Sequence, residues 1–182
     1  MEFVPTRLPD VIVIKPEVFE DTRGFFMETW HRRLFERAGI EATFVQDSVS
    51  GSSRGTIRGL HYQIRQAQGK LIRVVRGEAF DVAVDLRKSS PDFGQWASEL
   101  LSADNRKQVW IPPGFAHGFL VLSDTAEFEY KCTDYYAPEH ERTLQWDDPD
   151  IAIDWPLLDG EQPTVSPKDG AGLPLKEAEV YD

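Results

Sequence analysis

Cysteine is nearly missing from this chain, with Cys132 the single one among 182 residues. One thiol excludes an internal disulfide and a cysteine-built zinc site, and it fits a reducing, cytoplasmic home. No apolar run approaches the length of a membrane span, so no membrane association is expected. The N-terminus, MEFVPTRLPD, has no basic stretch leading into an apolar one, so no secretory signal is expected. Positive charge is scarce as well: 20 Lys and Arg stand against 31 Asp and Glu, a formal net charge of -11. That balance argues against a nucleic-acid binder working through bulk charge. Histidine occurs only four times. The length suits one good core and is short for two, so residues 1–182 are expected to form a single domain.

Against this acidic background one stretch stands out. Ser48 to Gly77, SVSGSSRGTIRGLHYQIRQAQGKLIRVVRG, holds Arg54, Arg58, Arg65, Lys70, Arg73 and Arg76 and no carboxylate. Such an island either holds an anionic ligand or forms a basic outer face paired in space with the acidic remainder. His61, at the centre of R-G-L-H-Y-Q, favours the ligand reading.

Strand signals dominate the rest. Asp10 to Lys15 is a β-branched run between prolines, and Asp21 to Gly24 reads as a turn before a strand at Phe25 to Thr29. A helix is expected over Trp30 to Ala38, capped by Thr29 and ended by Gly39. Leu71 to Arg76 followed by Ala79 to Leu86 suggests a hairpin with one buried face, Phe80, Val82, Val84 and Leu86 inside and Asp81 and Asp85 outside. Further strands fit Trp96 to Leu101, Gln108 to Ile111, His117 to Leu122 and Ala126 to Thr133, which together suggest an antiparallel sandwich or barrel. From Ala137 onward prolines punctuate a tail that also carries Trp146 and Trp155, so the segment 137–182 is expected to wrap over the barrel as ordered loop.

Alternation in A-E-F-E-Y-K-C turns Tyr130 inward, where a phenol serves either as a core residue or as a proton donor. His117 follows the turn in I-P-P-G-F-A-H-G-F. P-G-x-x-H resembles the second half of the cupin metal signature, but the first half is His61-Tyr62-Gln63 and lacks the second histidine, so no metal is expected. Strict alternation puts Arg58 and His61 on opposite faces of a strand; a bulge at Gly59 would bring both to one pocket.

The segments F-E-D-T-R-G-F-F, R-G-T-I-R-G-L-H-Y-Q, G-K-L-I-R-V-V-R-G, I-P-P-G-F-A-H-G-F, Y-K-C-T-D-Y-Y-A-P-E and S-P-K-D occur in colinear order from about Phe19 to Asp169. Together they resemble the dTDP-4-dehydrorhamnose 3,5-epimerase family. The resemblance implies a mainly β fold, a cupin-type antiparallel jelly-roll barrel with short peripheral helices, acting as a homodimer without metal or other cofactor. It implies a dTDP-4-keto-6-deoxy sugar as substrate, inverted at C3 and C5 through enolates on the route to dTDP-L-rhamnose.

Residue by residue, it implies His61 as general base oriented by Asp169, Tyr130 as proton donor on the opposite sugar face, and Lys70 as stabiliser of the C4 enolate oxygen. Arg23, Arg58 and His117 match ligands of the diphosphate and its surroundings. Glu28, Gln46, Asp47, Ser48, Glu141 and Lys168 match further substrate contacts, with the segment Arg23 to Glu28 reaching the neighbouring subunit's site. Ser48 stands where the family usually has Asn, which leaves a backbone contact there. The residues alone also admit a C3-only or C5-only epimerase, a 3,4-ketoisomerase, a metal-dependent oxygenase or a non-catalytic nucleotide-sugar binding module.

Overall fold

Strand-forming runs separated by turn clusters build the body of the molecule; the computed structural model of the protein describes residues 1–157 and 160–182. The chain opens with β1 (Glu2–Pro5) and β2 (Ile12–Lys15), then a hairpin of β3 (Val18–Asp21) and β4 (Gly24–Met27). A short helix, α1 (Arg32–Arg37), follows. Next come β5 (Gln46–Ser53), β6 (Thr56–Gln63), β7 (Lys70–Arg76) and β8 (Glu78–Asp85). They are continued by β9 (Trp96–Ser102), β10 (Gln108–Ile111), β11 (Phe115–Val121) and β12 (Thr125–Cys132). The C-terminal part carries β13 (Glu141–Thr143), β14 (Thr164–Val165) and a one-turn helix, α2 (Pro167–Gly170).

Two sheets face each other. The first has the order β1-β2-β10-β7-β12-β5, and the second β13-β6-β11-β8-β9 with β14 beside β6. Between them lies a core drawn from both, including Ile72, Val74, Val109 and Phe128 of the first and Ala83, Phe115 and Phe119 of the second. This is the jelly-roll barrel expected from the sequence, antiparallel except where β14 joins β6. Each sheet also buries its outer face. Ile14, Leu71 and Trp110 pack under Phe35 of α1 and Ile40, while Val82, Val84 and Leu86 pack under Leu144, Ile151 and Trp155 of the C-terminal segment.

That segment is tied down by polar links as well as apolar ones. The buried carboxylate of Asp148 accepts the backbone N–H groups of Asp150 at 2.7 Å and Leu175 at 2.6 Å. Tyr62 donates to the Glu179 carbonyl and Tyr181 to the Gln63 carbonyl, each at 2.6 Å, pinning the chain end across β6. Positions 158 and 159 of the tail lie outside the described residues.

Three expectations need correction. β7 and β8 do not form a hairpin: β7 pairs with β10 and β12, and β8 with β9 and β11 in the other sheet. Gly77, with φ +75°, turns the chain from one sheet to the other, and a side chain there would collide with the Thr125 carbonyl and the Ser123 hydroxyl. The faces of β8 are also reversed, because both are buried. Ala79 and Ala83, which alternate with the carboxylates on that face, line the barrel core, and Asp81 and Asp85 are buried at 2% and 0% exposure. The apolar side looks outward, under the C-terminal segment. Finally, α1 is shorter than expected and Thr29 does not cap it. His31 is the N-cap, without a side-chain bond, while the Thr29 carbonyl accepts from Gln108 Nε2 at 2.9 Å and so belongs to the barrel wall. Gly39 does follow the helix with φ +82°.

Candidate active site

The pairing of β6 with β11 sets the site. Phe119 stands opposite Arg58 and His117 opposite His61, so Gly59 and Leu60 together face the single Gly118. This is a bulge, and it restores Arg58 and His61 to the same inner side despite their odd spacing. Glycine is required on both strands: Gly59 has φ +124°, and a Cβ added to it would lie 2.5 Å from the Gly118 Cα. A Cβ on Gly118 would lie 2.7 Å from the Arg58 carbonyl oxygen. The bulge expected at Gly59 is therefore present.

His61 and Arg58 open onto a pocket of about 450 Å³ that also reaches Ser52, Thr56, Lys168 and Asp169. His61 Nε2 lies 2.6 Å from Asp169 Oδ1. Asp169 reaches this position from α2, whose Ser166 hydroxyl accepts the Asp169 N–H at 3.1 Å, a capping bond that S-P-K-D makes locally. Burial pushes the Asp169 carboxyl up, but the bond and charge of His61, the Gly59 N–H and the Lys168 charge outweigh it and hold its pKa below the ordinary value. The dyad thus fixes the His61 ring with its other nitrogen, Nδ1, left as the proton acceptor when the imidazole is neutral.

A second pair lies one strand inward. His117 Nε2 is 2.7 Å from Asp81 Oδ2, and both side chains are buried. Burial lowers the His117 pKa; Asp81 counters this, while Lys70 and His61 add to the lowering. Lys70, on β7 of the facing sheet, is lowered chiefly by burial, and the neighbouring Cys132, Asp81 and Glu141 oppose that loss. Tyr130 points inward as expected, its ring 6.4 Å from that of His117 and 5.9 Å from Phe128. Its hydroxyl lies 2.8 Å from Ser50 Oγ, and burial raises its pKa well above that of a free phenol.

The remaining candidates fall into separate groups. Glu141 accepts from Lys168 at 2.8 Å and from the Tyr136 hydroxyl at 3.0 Å, beside the pocket. Gln46 and Ser48 lie opposite Cys132 and Tyr130, on the side that faces the barrel, and are joined at 3.3 Å. Asp47 points to the other side of β5, where it binds Lys131 at 2.8 Å. Arg23 and Glu28 are exposed and lie outside this pocket; Arg23 sits on the β3–β4 hairpin, bound to Asp21 at 2.5 Å.

The basic island divides in the same manner. Arg58 donates to Ser52 Oγ at 2.8 Å and Lys70 enters the barrel, whereas Arg73 and Arg76 bind Glu129 and Glu127 on the outside. The paired outer face holds for Arg73 and Arg76, while Arg58 and Lys70 lie on the barrel side. Sequence reasoning missed Asp81, Ser50 and Ser52. Asp81 was hidden by the assumption that a charged strand face is a wet one, and the alternating serines of S-V-S-G-S-S were the available sign of a polar inner face on β5.

Comparison with known proteins agrees with this geometry. The family model described as dTDP-4-dehydrorhamnose 3,5-epimerase matches residues 5–177. A dTDP-4-dehydrorhamnose 3,5-epimerase of Pseudomonas aeruginosa is 59% identical over 182 residues, covering 100% of this chain and 99% of the relative. A crystal structure of the Legionella pneumophila dTDP-6-deoxy-D-glucose-3,5-epimerase RmlC in complex with dTDP-4-keto-L-rhamnose superposes with a TM-score of 0.94. It is 51% identical and covers 98% of this chain and 94% of that one. ChmJ, a 3'-monoepimerase from Streptomyces bikiniensis in complex with dTDP-quinovose, gives a TM-score of 0.88 at 34% identity, covering 94% and 87%.

Proposed function

Because the chain belongs to the dTDP-4-dehydrorhamnose 3,5-epimerase family, we infer that it inverts C3 and C5 of dTDP-4-dehydro-6-deoxy-D-glucose to give dTDP-4-dehydro-L-rhamnose. The observation that carries the assignment of roles is the placement of His61 and Tyr130 on facing sheets with His117 between them. His61 is the cross-strand neighbour of His117, and the Tyr130 ring packs against that same His117. A base and an acid on two sides of a bound sugar are what inversion requires.

The C4 ketone acidifies the hydrogens at C3 and C5. His61, held by Asp169, takes one of them, and the electron pair moves onto the C4 oxygen. Lys70 stabilises the resulting enolate; a charge aimed at such an oxygen contributes about 3 kcal/mol. Tyr130 then delivers its proton to the carbon from the other face, and the centre is inverted. No step calls for a redox cofactor.

Arg58 and His117 contact the diphosphate and its surroundings, and Gln46, Ser48, Glu141 and Lys168 hold the remainder of the nucleotide sugar; Asp47, turned to the outer side of β5 and paired with Lys131, reaches it only through its backbone. Arg23 and Glu28 act across a homodimer interface. The hairpin that carries Arg23 and leads into Glu28 supports this by exposing Phe19, Phe25 and Phe26 at 57%, 57% and 67%, apolar surface of the kind a second copy covers. Residues 1–182 work as one domain in the cytoplasm; among the described residues no helix is long and apolar enough to cross a membrane.

The test is proton NMR of dTDP-4-dehydro-6-deoxyglucose with the protein in deuterated water, following C3 and C5 separately. Solvent deuterium at both carbons with formation of the L-lyxo product is expected. Since ChmJ places a monoepimerase on the same fold, exchange at one carbon only would replace the double reading by a single one.

A further inference from the structure

Tyr130 has a hydrogen-bond partner that the chemistry above leaves unused. Ser50 Oγ lies 2.8 Å from the Tyr130 hydroxyl, and either oxygen is able to donate. Ser50 sits on β5, the outermost strand of its sheet, between the exposed Ser48 and the half-buried Ser52. The flanks of the Tyr130 ring are closed by Phe128 and His117. The phenol is thus flanked by two rings and meets the hydroxyl of a residue carried by the edge strand of its sheet.

This arrangement matters because the proposed reaction inverts two carbons on one sugar. Each inversion leaves His61 with an extra proton and Tyr130 as a phenolate. Before the second inversion both must be reset. His61 has a side chain 25% exposed at the pocket mouth and loses its proton to solvent directly. Tyr130 is sunk deeper, and a phenolate there is disfavoured by desolvation.

We propose that Ser50 is the proton relay that reloads Tyr130 between the two inversions. The Ser50 O–H passes its proton to the phenolate oxygen while a solvent hydronium at the sheet edge gives one to Ser50 Oγ. The net change is phenolate plus hydronium to phenol plus water, with no bond to carbon made or broken. Ser50 is a positioning and relay residue, and the number of inversions completed per visit depends on its speed. The proposal rests on the double-epimerase reading of the site.

The test is the ratio of singly to doubly inverted sugar released early in the reaction, followed by proton NMR in deuterated water, with dTDP affinity measured alongside. Ser50→Ala is expected to raise that ratio at least about tenfold, the low end of what a lost proton-transfer group costs being larger still. The first inversion and dTDP affinity stay near the wild-type values, and Ser50→Thr keeps the wild-type ratio. Should Ser50→Ala lose dTDP binding, Ser50→Thr and Ser50→Val, alike in shape and different in the hydroxyl, make the same comparison: Val raises the ratio and Thr does not. An unchanged ratio without the hydroxyl, or both inversions slowing in parallel, overturns the relay. Wild-type exchange at one carbon or none would instead overturn the double-epimerase reading, so the two failures are distinct.

Discussion

The barrel holds two His–Asp pairs of nearly equal length, 2.6 Å for His61–Asp169 and 2.7 Å for His117–Asp81, on neighbouring strands. They differ in access. The His61 side chain is 25% exposed and faces the pocket, whereas His117 and Asp81 are exposed by only 5% and 2%. A base must exchange protons with substrate and solvent at every turnover, and only the outer pair is placed to do so. The inner pair is a desolvated polar cluster whose partners must satisfy each other. Two pairs of the same composition therefore differ in burial: one is open to the pocket and to solvent, the other is enclosed.

The comparison breaks most sharply if the outer histidine is dispensable. His61→Asn is expected to lower kcat by about 10²- to 10⁴-fold with dTDP affinity retained, as measured by steady-state assay and calorimetry. Turnover near wild type would remove His61 as the base. Asp169→Asn keeps the shape and loses the charge-assisted bond, worth about 1.5–3 kcal/mol. If that loss falls on the transition state, kcat drops by about 10- to 100-fold, while thermal unfolding stays close to wild type.

The inner pair should show the opposite profile. Asp81→Ala strands a buried imidazole and is expected to cost about 1–3 kcal/mol of stability in denaturant titration. A large loss of kcat at unchanged stability would give the inner pair a chemical role instead. Gly118→Ala acts between the pairs, since its Cβ would meet the Arg58 carbonyl oxygen at 2.7 Å and Leu60 Cδ2 at 2.8 Å. Overpacking of this kind costs about 1–3 kcal/mol, and activity should fall with stability because the bulge that aims His61 is displaced.

The smallest effect is the pH dependence of the inner pair. The folded state holds the His117 pKa below its ordinary value, so the unfolded chain binds more protons in the window just below about pH 6.5. Stability then falls as the pH falls through that window, by at most about 1.4 kcal/mol per pH unit for one group. His117→Gln should flatten this part of the unfolding profile, and an unchanged slope would show that His117 is not its source.

Much of this was legible in the sequence because it depends on local order. The strands at Gln108–Ile111 and Thr125–Cys132, the inward Tyr130 and the need for a bulge at Gly59 all follow from alternation and from where glycine interrupts it. The colinear motifs also point to the family without any coordinates. β8 shows the limit. Its two faces can be separated by reading every second residue, but which one meets the barrel depends on the C-terminal segment that covers Val82 and Val84 from more than 50 residues away.

What the sequence determined by itself was the set of chemical groups, their spacing along each strand and the faces they share, since those are consequences of a period of two and of glycine's freedom. Tertiary structure alone decided that β7 and β8 part into different sheets, that Asp81 rather than a solvent molecule meets His117, and that Ser50 meets Tyr130. Those pairings join residues 36 and 80 positions apart. Side-chain contacts at that separation are selected by the packing of two whole sheets, a nonlocal balance that no single strand encodes.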